Sequence, residues 1–373
     1  MPPFTRLLLL LTLLLAAGPG RAQTIDTEAA TAYWKITDAL RRNEPLTDAK
    51  WREFLALPAN KVYVSSIFGS DTASLAAYRQ AVEVVYMPRY DSLRQAKLKA
   101  KRWYYVLVNN YKEHEKEHQA FLAETAKNPA YLEIMYTYAY DYLPTRAHRK
   151  QPALRLYYTA LGDDATSQED GIVFSLYDAY SYQRVRPGIL EAHELHHQLL
   201  GYALTPAENL TRPAQPEDEG LLWLLRSSLI EGLADLTDKQ VQLAAPTDSA
   251  EMRQRYFRPA PRVLHQVDSA IQVQAAGGPA APERFYRGLT NGSNGHLPGF
   301  FMTYTILQNG YRKPLLDHAD DFVAFTLLYQ KAAKRDKHHQ HPPIFTEASV
   351  RYLQQLAYKY APPRPAPAAA LKP

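Results

Sequence analysis

Over most of this chain the apolar residues recur at helical spacing, and the interruptions divide it into segments. Helices are expected over Thr27 to Arg42, over Thr47 to Leu57 behind a Thr-Asp start, over Asp71 to Val85, and from Ser92 to about Lys127. Pro88, the Asn128-Pro129 pair and Pro144 punctuate that stretch. The period then changes. Ala153 to Ala160 (ALRLYYTA) and Ile172 to Tyr177 (IVFSLY) are short runs rich in aromatic and β-branched residues, joined by the polar turn segment LGDDATSQEDG. They predict a small antiparallel sheet. Pro187-Gly188 leads into a helix over Glu191 to Leu200, and Leu221 to Leu236 reads as a buried helix. Pro259, Pro261 and Gly277-Gly278-Pro279 divide the rest, and Gly295 to Met302 opens another helix with Pro298 near its start. The expected fold class is therefore α+β, predominantly helical.

The chemistry concentrates in EAHELHHQLL, Glu191 to Leu200, where His193, Glu194 and His197 form an H-E-x-x-H frame. At helical spacing His193 and His197 lie about 40° apart, so two imidazoles can hold one ion, with Glu194 on the flank where water would lie. Ala192, Leu195 and Leu199 fall on the opposite side, which gives the helix one apolar face and one face for metal. A catalytic zinc needs a third protein ligand and an open position. Glu231, in the apolar run LLWLLRSSLIEGLADL, is the candidate ligand. Asp235 shares its face one turn on, and could accept a hydrogen bond from the outer nitrogen of a ligand histidine.

Between about Ala153 and Leu307 the chain resembles the gluzincins, zinc peptidases with an H-E-x-x-H helix and a glutamate on a following helix. One departure is the longer gap from His197 to Glu231, where the Pro-rich segment Thr205 to Glu219 would loop out. The Gly295-His296-Leu297-Pro298-Gly299-Phe300-Phe301-Met302 run is similar to a feature of a family of zinc-dependent peptidases among secreted bacterial proteins. The resemblance implies a zincin-like catalytic core with a sheet before the metal helix. It also implies an edge strand that pairs with an extended substrate, for which Ile172 to Tyr177 is the natural candidate and an ordinary buried hairpin the alternative. Gluzincins supply a Tyr or His for the oxyanion, which makes His296 and Tyr304 the candidates here. Residues 151–360 would form this region, behind a helical region over 23–150.

The activity so implied is peptide-bond hydrolysis by a zinc-activated water, with one zinc per chain and Glu194 as general base. Two other readings stand beside it. A secreted binding or scaffold protein would keep the metal site without turnover. A carboxylate-bridged di-metal bundle would use Glu194-x-x-His197 and Glu115-x-x-His118 with Glu231 and Glu133, although the β-like runs between the two pairs fit such a bundle poorly.

A second H-E-x-x-H occurs at His114-Glu115-Lys116-Glu117-His118. Glu113 and Lys116 give that helix a charged back, which reads as a solvated face. His196 is expected to pack or to support a neighbour, and His338, His339 and His341 to belong to a solvated linker. Asn209-Leu210-Thr211 and Asn291-Gly292-Ser293 match glycosylation acceptors, which carry no weight if secretion is bacterial.

Composition narrows the setting. Residues 1–22 read as a signal peptide, with Arg6, an apolar run from Leu7 to Ala17, and cleavage near Ala22. The expectation is a secreted or periplasmic protein without stable membrane insertion. No cysteine is present, which excludes disulfides and a lipid-modified N-terminal cysteine. The net charge of +5, or +3 without Arg6 and Arg21, is too small and too dispersed to predict a nucleic-acid partner. The expected partner is a peptide or protein substrate, and nothing fixes an oligomeric state. Many of the 27 tyrosines fall between Tyr78 and Tyr182, where a Tyr-rich core is expected ahead of an aromatic groove. Residues 361–373 read as an unstructured Pro/Ala-rich tail.

Overall fold

The computed structural model describes residues 24–168, 171–203, 214–290 and 292–360. The leader, the Asn209 acceptor, Asn291 and the Pro/Ala-rich tail lie outside them. Helices in chain order are α1 (Glu28–Arg41), α2 (Asp48–Leu55), α3 (Pro58–Tyr63), α4 (Thr72–Tyr86), α5 (Asp91–Lys99), α6 (Trp103–Glu113), α7 (Glu115–Lys127), α8 (Tyr131–Asp141), α9 (Leu176–Gln183), α10 (Ile189–Ala203), α11 (Pro216–Ala244), α12 (Ser249–Met252), α13 (Ala260–Ala275), α14 (Glu283–Leu289), α15 (His296–Gln308), α16 (Arg312–Asp317), α17 (Phe322–Arg335) and α18 (Glu347–Tyr360). Strands are β1 (Thr24–Asp26), β2 (Arg155–Thr159), β3 (Ala165–Gln168) and β4 (Gly171–Ser175). The fold is predominantly helical α+β. No helix among the described residues is long and apolar enough to cross a membrane.

The chain forms two compact units: residues through Tyr131 with Arg149–Arg184, and Leu132–His148 with Val185 onward. In the first, the helix expected from Ser92 to Lys127 is three helices. It breaks at Lys101, whose φ is +48°, and again at His114. The sheet has the order β1-β2-β4-β3. It is mixed, which corrects the antiparallel expectation: β1 and β4 both run parallel to β2, and only β3 pairs antiparallel with β4. The cause is β3 itself, hidden in the polar segment read as a turn. Its Ala-Thr-Ser-Gln sequence suits a partly exposed edge, and folding it back onto β4 sets β4 parallel to β2. Every residue of β4 is buried, with strand neighbours on both sides, so Ile172 to Tyr177 is not an edge open to a substrate strand. Leu176 and Tyr177 already belong to α9, whose cap Ser175 accepts a hydrogen bond from the Asp178 N–H.

Many tyrosines of this unit form core. Tyr33, Tyr63, Tyr78, Tyr86 and Tyr111 are fully buried. Three of them finish their polar ends on backbone: Tyr78 donates to the Ala160 carbonyl at 2.7 Å, Tyr111 to that of Gly162 at 2.8 Å, and Tyr63 accepts from the Asp164 N–H at 3.1 Å. A phenol can line a core when its hydroxyl finds such a partner.

The second unit is organised around α11, whose buried Leu229, Leu233 and Leu236 face its neighbours. α11 and α15 approach closely because their crossing is lined by small residues. A Cβ on Gly299 would lie 2.3 Å from the Ser228 carbonyl oxygen, and one on Gly232 would lie 2.5 Å from that of Gly299. Gly295 caps α15 with φ +100°, against the Ser227 backbone. Thr303 Oγ1 then donates to the Gly232 carbonyl at 2.9 Å. At the other end of α11, buried Asp218 accepts from Tyr352 and Tyr360 of α18 and pairs with Lys359 at 2.5 Å.

Candidate metal centre

Helix α10 places His193 and His197 one turn apart, backed by the fully buried Ala192, Leu195 and Leu199. Their Nε2 atoms stand 3.1 Å apart. Helix α11 brings Glu231 to them, with Oε2 at 3.3 Å from His197 Nε2. The first residue of α15 adds His296, whose Nε2 lies 3.2 Å from the same carboxylate oxygen. His193, Glu231 and His296 all offer donor atoms within 4.8 Å of one another, as do His193, Glu194 and His197.

Carboxylates fix the orientation of two rings from behind. His193 donates from Nδ1 to Asp238 at 3.0 Å, and His296 from Nδ1 to Asp235 at 2.8 Å. Each Nδ1 proton is therefore committed to an aspartate, and the Nε2 atoms turn into the cluster, that of His296 toward Glu231 and that of His193 toward His197. Asp235 and Asp238 are fully buried, and buried Lys239 reaches both, at 2.5 Å and 3.3 Å. Burial works against ionising Asp238, but Lys239 and His193 outweigh it and hold its carboxyl well below the usual range.

The cluster is built to face positive charge. Burial would raise the Glu231 carboxyl, yet His296 and His197 hold it well below the usual carboxylate range. Burial would lower His197, yet Glu231, followed by Glu194 and Asp235, raises it to about 9. His296 rises for the same reason, against its burial, through Asp235 and Glu231. Glu231 Oε2 is sealed from solvent between the ring nitrogens of His197 and His296, at 3.3 Å and 3.2 Å, without a well-aligned hydrogen bond. A buried anionic oxygen set between ring nitrogens without a well-aligned hydrogen bond is an environment that a cation would complete. The donor set fits zinc: ligand atoms around a tetrahedral zinc stand about 3.3 Å apart, given bonds of about 2.0–2.1 Å.

Among the expected site residues, His193, Glu194, His197, Glu231, Asp235 and His296 come together. Asp235 takes His296, the residue expected at the oxyanion, as its histidine partner; its separation from His193 Nδ1 is 3.8 Å. Tyr304 is elsewhere on α15, its ring edge-on to Phe257 at 5.1 Å and tilted against Phe300. Asp238 and Lys239 were missed. Their signal was available, since Glu231, Asp235 and Asp238 share one face of a helix at four- and three-residue steps. Leu297, beside His296 in the chain, lines a cavity of about 780 Å³ with Arg255 and Arg262.

The remaining histidines have other surroundings. His196 is fully buried, with Nε2 donating to the Tyr142 carbonyl at 3.1 Å; burial, with His197 beside it, lowers its pKa to about 3. His338 donates to the Gln308 carbonyl at 3.0 Å, and exposed His341 sits 3.5 Å from Asp336. In the first H-E-x-x-H copy, His114 lies between two helices, Glu115 pairs with Arg41, and His118 is buried among Tyr111 and Tyr180. Every candidate metal-holding group among the described residues contains His193, and none contains His118, Glu115 or Glu133.

A family model described as "Putative zinc dependent peptidase (DUF5700)" matches residues 51–338. No curated protein and no solved structure gives a significant match.

Proposed function

The chain belongs to that family, and from this premise we propose that it hydrolyses peptide bonds at one zinc held by His193, His197 and Glu231, with Glu194 as general base. The observation that carries the reading is the meeting of α10 and α11. They bring two imidazole nitrogens and one carboxylate oxygen to 3.1 Å and 3.3 Å, and seal that oxygen from solvent without a well-aligned hydrogen bond.

When bound, the ion supplies Lewis-acid chemistry, polarising a carbonyl and acidifying a water. The chain's own groups do the rest. Asp238, charge-balanced by Lys239, keeps the proton of His193 on Nδ1 and so keeps Nε2 free as a donor. Glu194 follows His193 directly and is half-buried, so its carboxylate reaches the same space without being sealed from it. It takes the proton from the attacking water and returns it to the departing amine. The apolar backing of α10 keeps both imidazoles on one side of the helix. We place this activity outside the cytoplasm, after removal of the leader near Ala22, on the strength of the leader's Arg6 and apolar run.

Glu194→Gln tests the proposal. The substitution keeps shape and ligands while removing the proton acceptor, so cleavage of a mixed peptide library should fall by about 10²–10⁴ with zinc content unchanged. Equal cleavage by both proteins at equal zinc content would refute Glu194 as the base. Absence of cleavage by the wild type would favour a binding protein that keeps a metal site.

A further inference from the structure

The geometry assigns His296 a place as a third imidazole toward the same ion, which closes the resting centre with four protein donors; this rests on the zinc reading above. His296 was expected to donate to an oxyanion. Its surroundings are those of a ligand instead.

Three observations agree. His296 Nε2 is 3.2 Å from Glu231 Oε2, nearly the separation that His197 Nε2 keeps from the same atom, 3.3 Å. It also shares a donor group with His193 and Glu231, all within 4.8 Å. Its other nitrogen is fixed as that of His193 is, by Nδ1–H donation to a fully buried aspartate that Lys239 also contacts. Ligand histidines almost always carry such a partner on the second nitrogen. The small-residue seam gives this placement its cause: Gly232, Ser228 and Gly299 let α15 pack so close to α11 that its first side chain meets Glu231 and Asp235.

Four protein donors fill a tetrahedral zinc, whereas a catalytic one keeps a position open. His296 is the donor suited to yielding. Its side chain is 26 % exposed, against 19 % for His197 and 5 % for His193, and it starts its helix directly after Gly295 in a left-handed conformation. His193 and His197, by contrast, sit within the length of α10. With zinc bound, His296 would thus latch the centre, and it is the donor that would give way to an entering ligand.

The test is X-ray absorption at the zinc edge on the zinc-loaded full chain, with zinc affinity measured by chelator competition. Wild type should show three imidazoles, and His296→Ala two, with affinity lower by about tenfold or more. Asp235→Asn, which keeps the ring and loosens its hold, should weaken affinity while retaining three. Circular dichroism on the same samples identifies any variant that fails to fold, and the Asp235→Asn comparison then carries the test. Two imidazoles in wild type, or three in folded His296→Ala, would overturn the inference while leaving the zinc site standing. An oxyanion donor would change neither count nor affinity. A wild type that holds no zinc would instead overturn the zinc reading.

Discussion

His114 to His118 and His193 to His197 spell the same H-E-x-x-H pattern, yet the protein gives them different supports. In the later copy both histidines lie within one helix, α10, against a fully buried Ala192, Leu195 and Leu199. In the earlier copy His114 is the break between α6 and α7, so the pattern does not lie within one helix. Glu194 offers a ligand atom within 4.8 Å of those of His193 and His197, and Glu115 pairs with Arg41. His193 has Asp238 behind its ring; His118, 1 % exposed, has no hydrogen bond on either nitrogen. Two imidazoles one turn apart are easy to encode. What distinguishes a metal centre is the set of carboxylates brought to both sides of the rings, and those come from α11.

The largest effect should follow from separating the helices that bring them. Gly299→Leu or Gly232→Leu places side-chain atoms where backbone already lies, and should cost about 3 kcal/mol or more. The check is chemical denaturation with zinc content on the surviving folded protein; stability within about 0.5 kcal/mol of wild type would mean the seam is not tight.

The earlier copy should reveal itself through acid instead. Burial, with His114 beside it, lowers the His118 pKa to about 4. The unfolded chain takes up this proton near pH 6.5, but the buried ring refuses it until about 4, so the stabilisation is complete above 6.5 and lost as pH falls. The loss amounts to about 3 kcal/mol at most. Comparing wild type with His118→Leu by denaturation at pH 7 and at pH 4.5 should show the smaller drop in the variant; equal drops would mean His118 is not held neutral.

A smaller effect isolates the supporting aspartates. Asp238→Asn should weaken zinc binding by about 10–100-fold with little change in folding, because it removes the acceptor of the His193 Nδ1 proton. Chelator competition measures it, and unchanged affinity would mean that Asp238 does not orient His193. Smallest of all, His114→Ala should leave stability within about 0.5 kcal/mol, since that side chain is 44 % exposed, approaches Glu117 at 3.9 Å, and meets the rings of His118 and Tyr180 only at 6.4 Å and 6.3 Å. A larger loss would give the earlier copy a structural role beyond its buried His118.

The sequence revealed whatever depended on local period. The helix of EAHELHHQLL, the buried run carrying Glu231, and the Tyr-rich core all appear as expected, since side-chain periodicity and burial are written in neighbouring residues. Features that depend on distant pairing were hidden. The parallel register of β2 and β4 depends on β3, whose polar sequence resembles a turn because it is an edge. The Asp235–His296 bond joins residues 61 apart. Its nearest sequence trace is the pair of small-residue steps, Ser228 to Gly232 and Gly295 to Gly299, whose meaning appears only when the two helices cross. Breaks at Lys101 and His114 are single-residue backbone events that apolar spacing does not record.

Zinc content after dialysis against a weak chelator tests the central claim most directly, with wild type, His193→Ala/His197→Ala and His114→Ala handled side by side. The account predicts about one zinc per chain in wild type and in His114→Ala, and none in the double variant. Zinc retained by the folded double variant, or lost from folded His114→Ala, would contradict the assignment of the metal centre to His193 and His197.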